Sequence, residues 1–316
     1  MNSEFLYNPV GKGLYCHCPS ILLSNSGDTL VAWYAYPENE YQNATLALAR
    51  RDKDKRQWEL GRPILKNRNY SMGNPVLFQE PGGRIWLLFV ILKGKYWNDA
   101  ILEGVWSDDD GTSWSDPVQF WKQKGLMVRH PPLMLENSSL LLPAYKEDIR
   151  QSVIFSAVPP YSKWEEVYQF KNHNIIQPSL IRESSGRLSL FFRPWTDPRR
   201  IWVSRSSQNG LTWSEPVCTP LPSPLSGICA FVSDDSIGVV HNHTEKHQRH
   251  PLSISVSKDG GNDWKKPWHF EPIEHEVSYP SFVTGKDGVI HGVYTYNRRM
   301  IKYVSIDPGE LLEEHD

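Results

Sequence analysis

Six short apolar strands in this sequence open on polar side chains: His17, Asn74, Arg129 with His130, Gln177, Ser226 and Tyr279. Imidazole, guanidinium, amide, hydroxyl and phenol groups serve hydrogen bonding and proton transfer. Proline follows closely in His17-Cys18-Pro19, Asn74-Pro75, His130-Pro131, Gln177-Pro178 and Tyr279-Pro280, as expected of a strand that begins without a ladder partner. One or two polar heads are ordinary strand-edge groups, whereas six in phase argue for a lined pocket. A second cluster, His241, His243, His247 and His250 beside Arg249, offers more imidazoles. Its His241-x-His243 pair has no third ligand at a recognised spacing, so the segment reads as a polar pocket loop, with no metal or cofactor expected.

The elements that must position these heads repeat. Ser107-Asp108-Asp109-Asp110-Gly111-Thr112-Ser113-Trp114, Ser206 to Trp213 and Ser257 to Trp264 reduce to Ser-x-Asp-x-Gly-x-x-Trp, with Gln208 for Asp in the middle copy. Each joins two β-like runs, so it reads as a hairpin turn: the Asp accepts turn N–H groups, Gly takes a positive φ and Trp packs on the sheet. With the similarly placed Trp58 and Trp164, the tryptophans recur at intervals of 56, 50, 49 and 51 residues, the period of a four-stranded propeller blade. Every polar head is followed by a second apolar strand across turn residues such as Asn25-Ser26-Gly27-Asp28. The pattern predicts an all-β, six-bladed β-propeller of four-stranded antiparallel blades. It fills residues 1–316 as one domain, with blades near 14–65, 70–120, 127–168, 174–218, 225–270 and 277–306. Glu4-Phe5-Leu6-Tyr7 is available as a closing strand for the last blade.

Composition agrees. Thirteen Trp, 14 Tyr and 11 Phe, punctuated by 24 Pro and 21 Gly, suit short strands and tight turns. The 34 basic and 36 acidic residues nearly cancel, so a nucleic-acid partner is not expected. The apolar run Ile85 to Leu92 is too short to cross a bilayer and Met1-Asn2-Ser3-Glu4 does not open an export signal, so a soluble, cytoplasmic protein without membrane insertion is expected. Nothing in the sequence fixes an oligomeric state. Cys16, Cys18, Cys218 and Cys229 are too few for a disulfide framework and read as buried free thiols.

The three turns, together with Gly73-Asn74-Pro75-Val76-Leu77-Phe78, Met127-Val128-Arg129, Leu141-Leu142-Pro143-Ala144-Tyr145, Gln177-Pro178-Ser179, Leu221 to Gly227 and Ser278-Tyr279-Pro280, carry a resemblance. Over essentially its whole length the chain resembles the sialidase (neuraminidase) superfamily, in particular the bacterial predicted-neuraminidase group with Asp-box (BNR) repeats. The resemblance implies a tyrosine nucleophile at Tyr279 and a carboxylate clamp that includes Arg193 and Arg249. The sequence departs from the family where its first arginine becomes His17 and the glutamate that activates the tyrosine becomes Gln177. It departs again in the loop after the first hairpin, which holds Glu38 and Glu40 but no Asp.

Planar guanidinium groups bind carboxylates through paired, charge-assisted bonds, so an acidic glycan is the expected partner. A phenol with a pKa near ~10 is a weak nucleophile without a base or cation beside it. Gln177 cannot be that base, so the role falls to His17, His130, Glu147 or another nearby group. The expected activity is a sialidase-like glycoside hydrolase releasing a terminal sialic or uronic acid. Arg193, Arg249 and Arg129 hold the carboxylate, Tyr279 acts as nucleophile or as acid/base, Glu38 or Glu40 protonates the leaving oxygen, and His130, Asn74, Gln177 and Ser226 line the pocket. Two alternatives remain open: β-elimination on a uronic acid, with a His or Tyr removing the proton next to the carboxylate, and a non-catalytic glycan-binding propeller.

Overall fold

The computed structural model describes residues 1–7, 14–55, 57–65 and 69–313. Those residues form 25 strands and two short 3-10 helices, Trp97–Asp99 and Pro308–Leu312. Four sheets are four-stranded and antiparallel. The first holds Tyr15–Leu23, Thr29–Tyr36, Thr45–Arg51 and Glu59–Pro63, and the second Met72–Gln79, Ile85–Leu92, Ala100–Ser107 and Val118–Gln119. The third holds Cys229–Ser233, Ser236–Asn242, Leu252–Ser257 and Trp268–Glu271. In the fourth, Val277–Thr284, Ile290–Tyr296 and Met300–Ile306 are completed by the N-terminal strand Asn2–Tyr7, which runs antiparallel with Asn2 opposite Ser305.

Between residues 126 and 222 the hydrogen bonding differs from expectation. The segments placed in separate blades at 127–168 and 174–218 belong to one nine-stranded sheet. The join is slight: a single parallel pairing of Gln151 with Ile175, supported by Ser152 Oγ donating to the Ile175 carbonyl at 2.9 Å. On either side of it the strands are antiparallel.

Hydrophobic side chains alternate with the pleat and fill the spaces between successive strand groups. One cluster sets Leu30, Leu46 and Leu48 against Leu77, Leu87 and Phe89 of the next sheet. Another joins the last sheet to the first, with Val293, Ile301 and Tyr303 against Val31, Trp33 and Ala49. Three cysteines are buried free thiols as expected, but Cys218, on the edge strand Val217–Pro222, is exposed.

The repeated turns lie between the third and fourth strands of their groups. Ser107 Oγ donates to Asp109 Oδ1 at 2.7 Å and accepts from Gly111 N at 2.8 Å, while Asp109 Oδ1 accepts from Ser113 N at 2.8 Å. These bonds, led by those from Ser113, hold the Asp109 carboxyl down at about 2. Gly111 sits at φ +79° with Leu30 Cδ2 only 2.6 Å from where a Cβ would stand, so the repeat also sets the contact between neighbouring sheets.

Candidate functional site

The backbone aims the strand heads. Cys18, Asn74, Gln177 and Tyr279 each precede a proline and each take a left-handed φ, between +46° and +58°. The pairing register slips at the same place in all four strands, between His17 and Ser20, Gly73 and Val76, Ile176 and Ser179, and Ser278 and Ser281. Each is a bulge in which the proline cannot donate and the residue before it is turned out of the ladder. In the first strand the bulged residue is therefore Cys18. His17, taken from sequence as the equivalent head, stands one position earlier, its ring 4.4 Å from that of Tyr279.

A cavity of about 170 Å³ opens at these bulges. It is lined by His17, Asn74, Gln177 and Tyr279, by Glu40, Glu147, Arg193, Arg249 and Arg298, and by aromatic walls from Tyr34, Tyr41, Trp97, Tyr145 and Trp195. Arg193, from strand Leu188–Pro194, donates through Nη1 to Gln177 Oε1 at 3.1 Å and to Tyr279 Oη at 3.0 Å. Among the described residues it has no carboxylate partner. Arg249 donates to Glu276 Oε1 at 3.0 Å, and Arg298, from the turn before Met300–Ile306, donates to Glu276 Oε2 at 2.9 Å and Glu40 Oε2 at 3.2 Å. Tyr34 Oη also donates to Glu40 Oε2, at 2.9 Å. Burial alone would raise the Glu276 carboxyl, but the two arginines outweigh it and hold it below its ordinary value.

Glu147 behaves oppositely: burial lifts its carboxyl above the ordinary value, and attraction to Arg193 and Arg150 only partly offsets the lift. Burial, followed by the fields of Arg298, Arg249, Arg129 and Arg193, keeps the His17 imidazole far below its usual pKa and therefore neutral. His17 Nδ1 pairs with Thr295 Oγ1 at 2.9 Å. Tyr145 Oη accepts from Asn74 Nδ2 at 3.3 Å.

Of the residues expected at the site, His17, Asn74, Glu40, Glu147, Gln177, Arg193, Arg249 and Tyr279 meet at this cavity, whereas Glu38, Arg129, His130 and Ser226 lie outside its lining. Glu38 is exposed. Arg129 is 1% exposed and spends its guanidinium on backbone carbonyls, those of Pro19 at 3.1 Å and of Tyr279 and Pro280 at 2.8 Å each. It therefore ties the first strand group to the last instead of facing a ligand. Ser226 is buried, and the adjacent Gly227 backs the Tyr279 ring, where a Cβ would stand 3.1 Å from Cδ1. His130 lines a larger cavity of about 480 Å³, formed by later residues of the same strands, among them Ile21, Phe78, Phe231 and Phe282. That cavity is mainly apolar and lacks the convergent charged groups of the smaller one.

The run from His241 to His250 supplies only Arg249 to the cavity. His241 uses both ring nitrogens, on the Pro222 carbonyl and Ser255 Oγ at 2.9 Å each, and burial holds it down at about 3. Sequence reading did not assign Arg298, Glu276, Tyr34, Tyr145, Trp97 or Trp195. Tyr145 closes the Leu141 to Tyr145 string and Glu276 sits three residues before Tyr279, so both were within reach of the motifs; Arg298 and Trp97 lie in turns that carry no repeat.

These sheets and turns define a sialidase-like all-β protein. The chain belongs to the BNR repeat-like domain family, whose model matches residues 27–292. It is similar in structure to an intramolecular trans-sialidase from Ruminococcus gnavus, with a TM-score of 0.80 at 15% identity, covering 99% of this chain and 98% of that one. The NanB sialidase of Streptococcus pneumoniae superposes with a TM-score of 0.81 at 11% identity, over 97% of this chain and 71% of that one. The Hadza microbial sialidase Hz136 gives 0.77 at 16%, over 94% of this chain, which spans 66% of that protein. At these identities the likeness is one of fold. Comparison with curated proteins gives no match.

Proposed function

We propose that this protein is a carbohydrate-active enzyme that hydrolyses the glycosidic bond of a terminal acidic sugar, on a six-bladed propeller with its site at the bulged strand heads. The observation that carries this reading is Arg193: a buried guanidinium without a carboxylate partner among the described residues, held against Tyr279 Oη inside a polar cavity. The sugar carboxylate completes it, with Arg249 and Arg298 alongside. Tyr279 Oη attacks the anomeric carbon, giving its proton to the neutral His17 beside it, while Glu147 protonates the leaving oxygen as the glycosidic bond breaks. Burial keeps Glu147 protonated further up the pH scale than an ordinary carboxylate, which suits an acid role better than Glu40, pinned by Tyr34 and Arg298. Water then cleaves the tyrosyl intermediate, restoring a proton to Glu147 and taking back the one on His17 through the phenol.

A second reading, elimination on a uronic acid, is favoured by the neutral imidazole of His17 against Tyr279 and by the amide of Gln177 where a carboxylate would activate the phenol. There His17 removes the proton on the carbon bearing the carboxylate, the neighbouring C–O bond breaks, a carbon–carbon double bond forms and Tyr279 protonates the departing oxygen. Incubation with sialosides and with uronic-acid oligosaccharides distinguishes the two. Released acidic sugar without ultraviolet absorbance indicates hydrolysis, and absorbance of an unsaturated product indicates elimination. Tyr279→Phe should abolish either; full activity in that variant removes Tyr279 from the mechanism, and no turnover of any acidic glycan overturns the enzymatic reading.

A further inference from the structure

The cavity limits the size of the sugar as well as its charge. We infer that the acidic sugar is a six-carbon uronic acid rather than a nine-carbon one, and that Trp97 sets this limit; the inference rests on the proposed acidic-sugar site. Ligand pockets commonly enclose ~300–1,000 Å³. The volume here is about 170 Å³, well below that range, which favours an acid of one pyranose ring with its carboxylate over one that adds an acetamido group and a three-carbon tail.

The walls are braced. Trp97 opens the turn Trp97–Asp99 and lays its ring over Gly73, where a Cβ would stand 2.7 Å from it. Tyr34 of the first sheet, at 6.3 Å between ring centroids, and Tyr41 of the loop that follows its strand, at 5.5 Å, support it. Trp195 forms another wall, with the Arg150 guanidinium 4.6 Å and that of Arg193 5.7 Å from its ring centroid. Neither indole can turn aside for a longer ligand without breaking these contacts.

The charges agree with a small ligand carrying one carboxylate. Arg249 and Arg298 share Glu276, and Arg298 also holds Glu40, so Arg193 is the lining guanidinium left for an incoming anion. The family's first arginine is replaced by His17, which is neutral. The Asn74 and Gln177 amides, the Tyr145 hydroxyl and Glu40 supply donors and acceptors suited to ring hydroxyls.

The test is calorimetric titration of the whole protein with free D-glucuronate, D-galacturonate and N-acetylneuraminate, repeated on Trp97→Ala, Trp97→Phe and Arg193→Ala. One of the uronates should bind at least about tenfold tighter than N-acetylneuraminate. Arg193→Ala should weaken that uronate, and Trp97→Ala should narrow the gap by admitting the larger acid. Trp97→Phe keeps a ring at the wall, so it should retain most of the preference and separates loss of the wall from loss of folding. If N-acetylneuraminate binds the unaltered protein as tightly as either uronate, the size limit is wrong and the acidic-sugar site stands. If neither class binds, the acidic-sugar reading falls as well. A uronate preference that survives Trp97→Ala removes Trp97 from the inference.

Discussion

Arg193 Nη1 lies 3.0 Å from Tyr279 Oη while sharing its hydrogens with Gln177 Oε1 at 3.1 Å, so one edge of a guanidinium joins the nine-stranded sheet, through Leu188–Pro194, to the sheet that holds Val277–Thr284. A carboxylate at position 177 would pair with this arginine and neutralise it. The amide orients the arginine without consuming its charge, and the phenol is left with a cation rather than an anion against its oxygen.

Removing that cation should be costly for turnover and cheap for stability. Charge-assisted hydrogen bonds contribute about 1.5–3 kcal/mol each, so Arg193→Ala should lower kcat/KM on an acidic glycan by about a hundredfold or more. The side chain is buried with its Nε unpartnered, so its loss removes a desolvated charge as well as two hydrogen bonds. Thermal melting of the variant should stay within a few degrees of the parent, and a collapse in melting temperature would mark Arg193 as structural.

Gln177→Glu tests whether the amide keeps Arg193 available. The new carboxylate would accept from Arg193 Nη1 and compete with the substrate for it. The expected outcome in steady-state kinetics is a KM about tenfold higher, equivalent to roughly 1.4 kcal/mol of lost binding. An unchanged KM would show that substrate does not use Arg193.

The scaffold was legible because its signals are local and repeated. A Ser-x-Asp-x-Gly-x-x-Trp turn works through hydrogen bonds within its own eight residues, so Asp109, Gly111 and Trp114 announce it wherever it occurs. The site was legible only where it rides on the strand heads. The head of the first strand was placed at His17, one residue before the bulged Cys18, because a bulge shifts register in a way that apolar patterning does not record. Arg129 has the residue type of a carboxylate ligand, and only the positions of three carbonyls reveal that it is a tie. Arg298 and Glu276 approach each other from separate segments around a turn, and no spacing in the sequence requires that meeting.

Glu147 should leave a pH signature in stability. Burial raises its carboxyl in the folded protein, so the folded state binds this proton more tightly than the unfolded chain does. The stabilisation it gives is fully present below the unfolded pKa and is lost as pH rises through the folded one, above which a partly buried anion remains. Glu147→Gln should therefore melt at or slightly above the parent temperature at pH 7, the difference vanishing in more acidic buffer. Activity should fall, because the amide cannot protonate a leaving oxygen. A variant that melts lower at pH 7 than the parent would mean that the anion is favourably held.

Arg129 separates a structural arginine from a ligand-binding one. Arg129→Met keeps much of the length and apolar stem but leaves the carbonyls of Pro19, Tyr279 and Pro280 without their donor. Unsatisfied buried acceptors cost about 1–3 kcal/mol each, so the variant should lose about 3 kcal/mol or more in denaturant unfolding. Because the tie is made to backbone, the loss should be as large in a Tyr279→Phe background, where no phenol remains to be positioned. A ligand-binding arginine behaves differently: its removal would raise KM and leave unfolding unchanged in both backgrounds. Equal destabilisation with and without the Tyr279 hydroxyl is thus the expected result, and it would place Arg129 in the closure between the first and last strand groups, beneath the cavity that Arg193 faces.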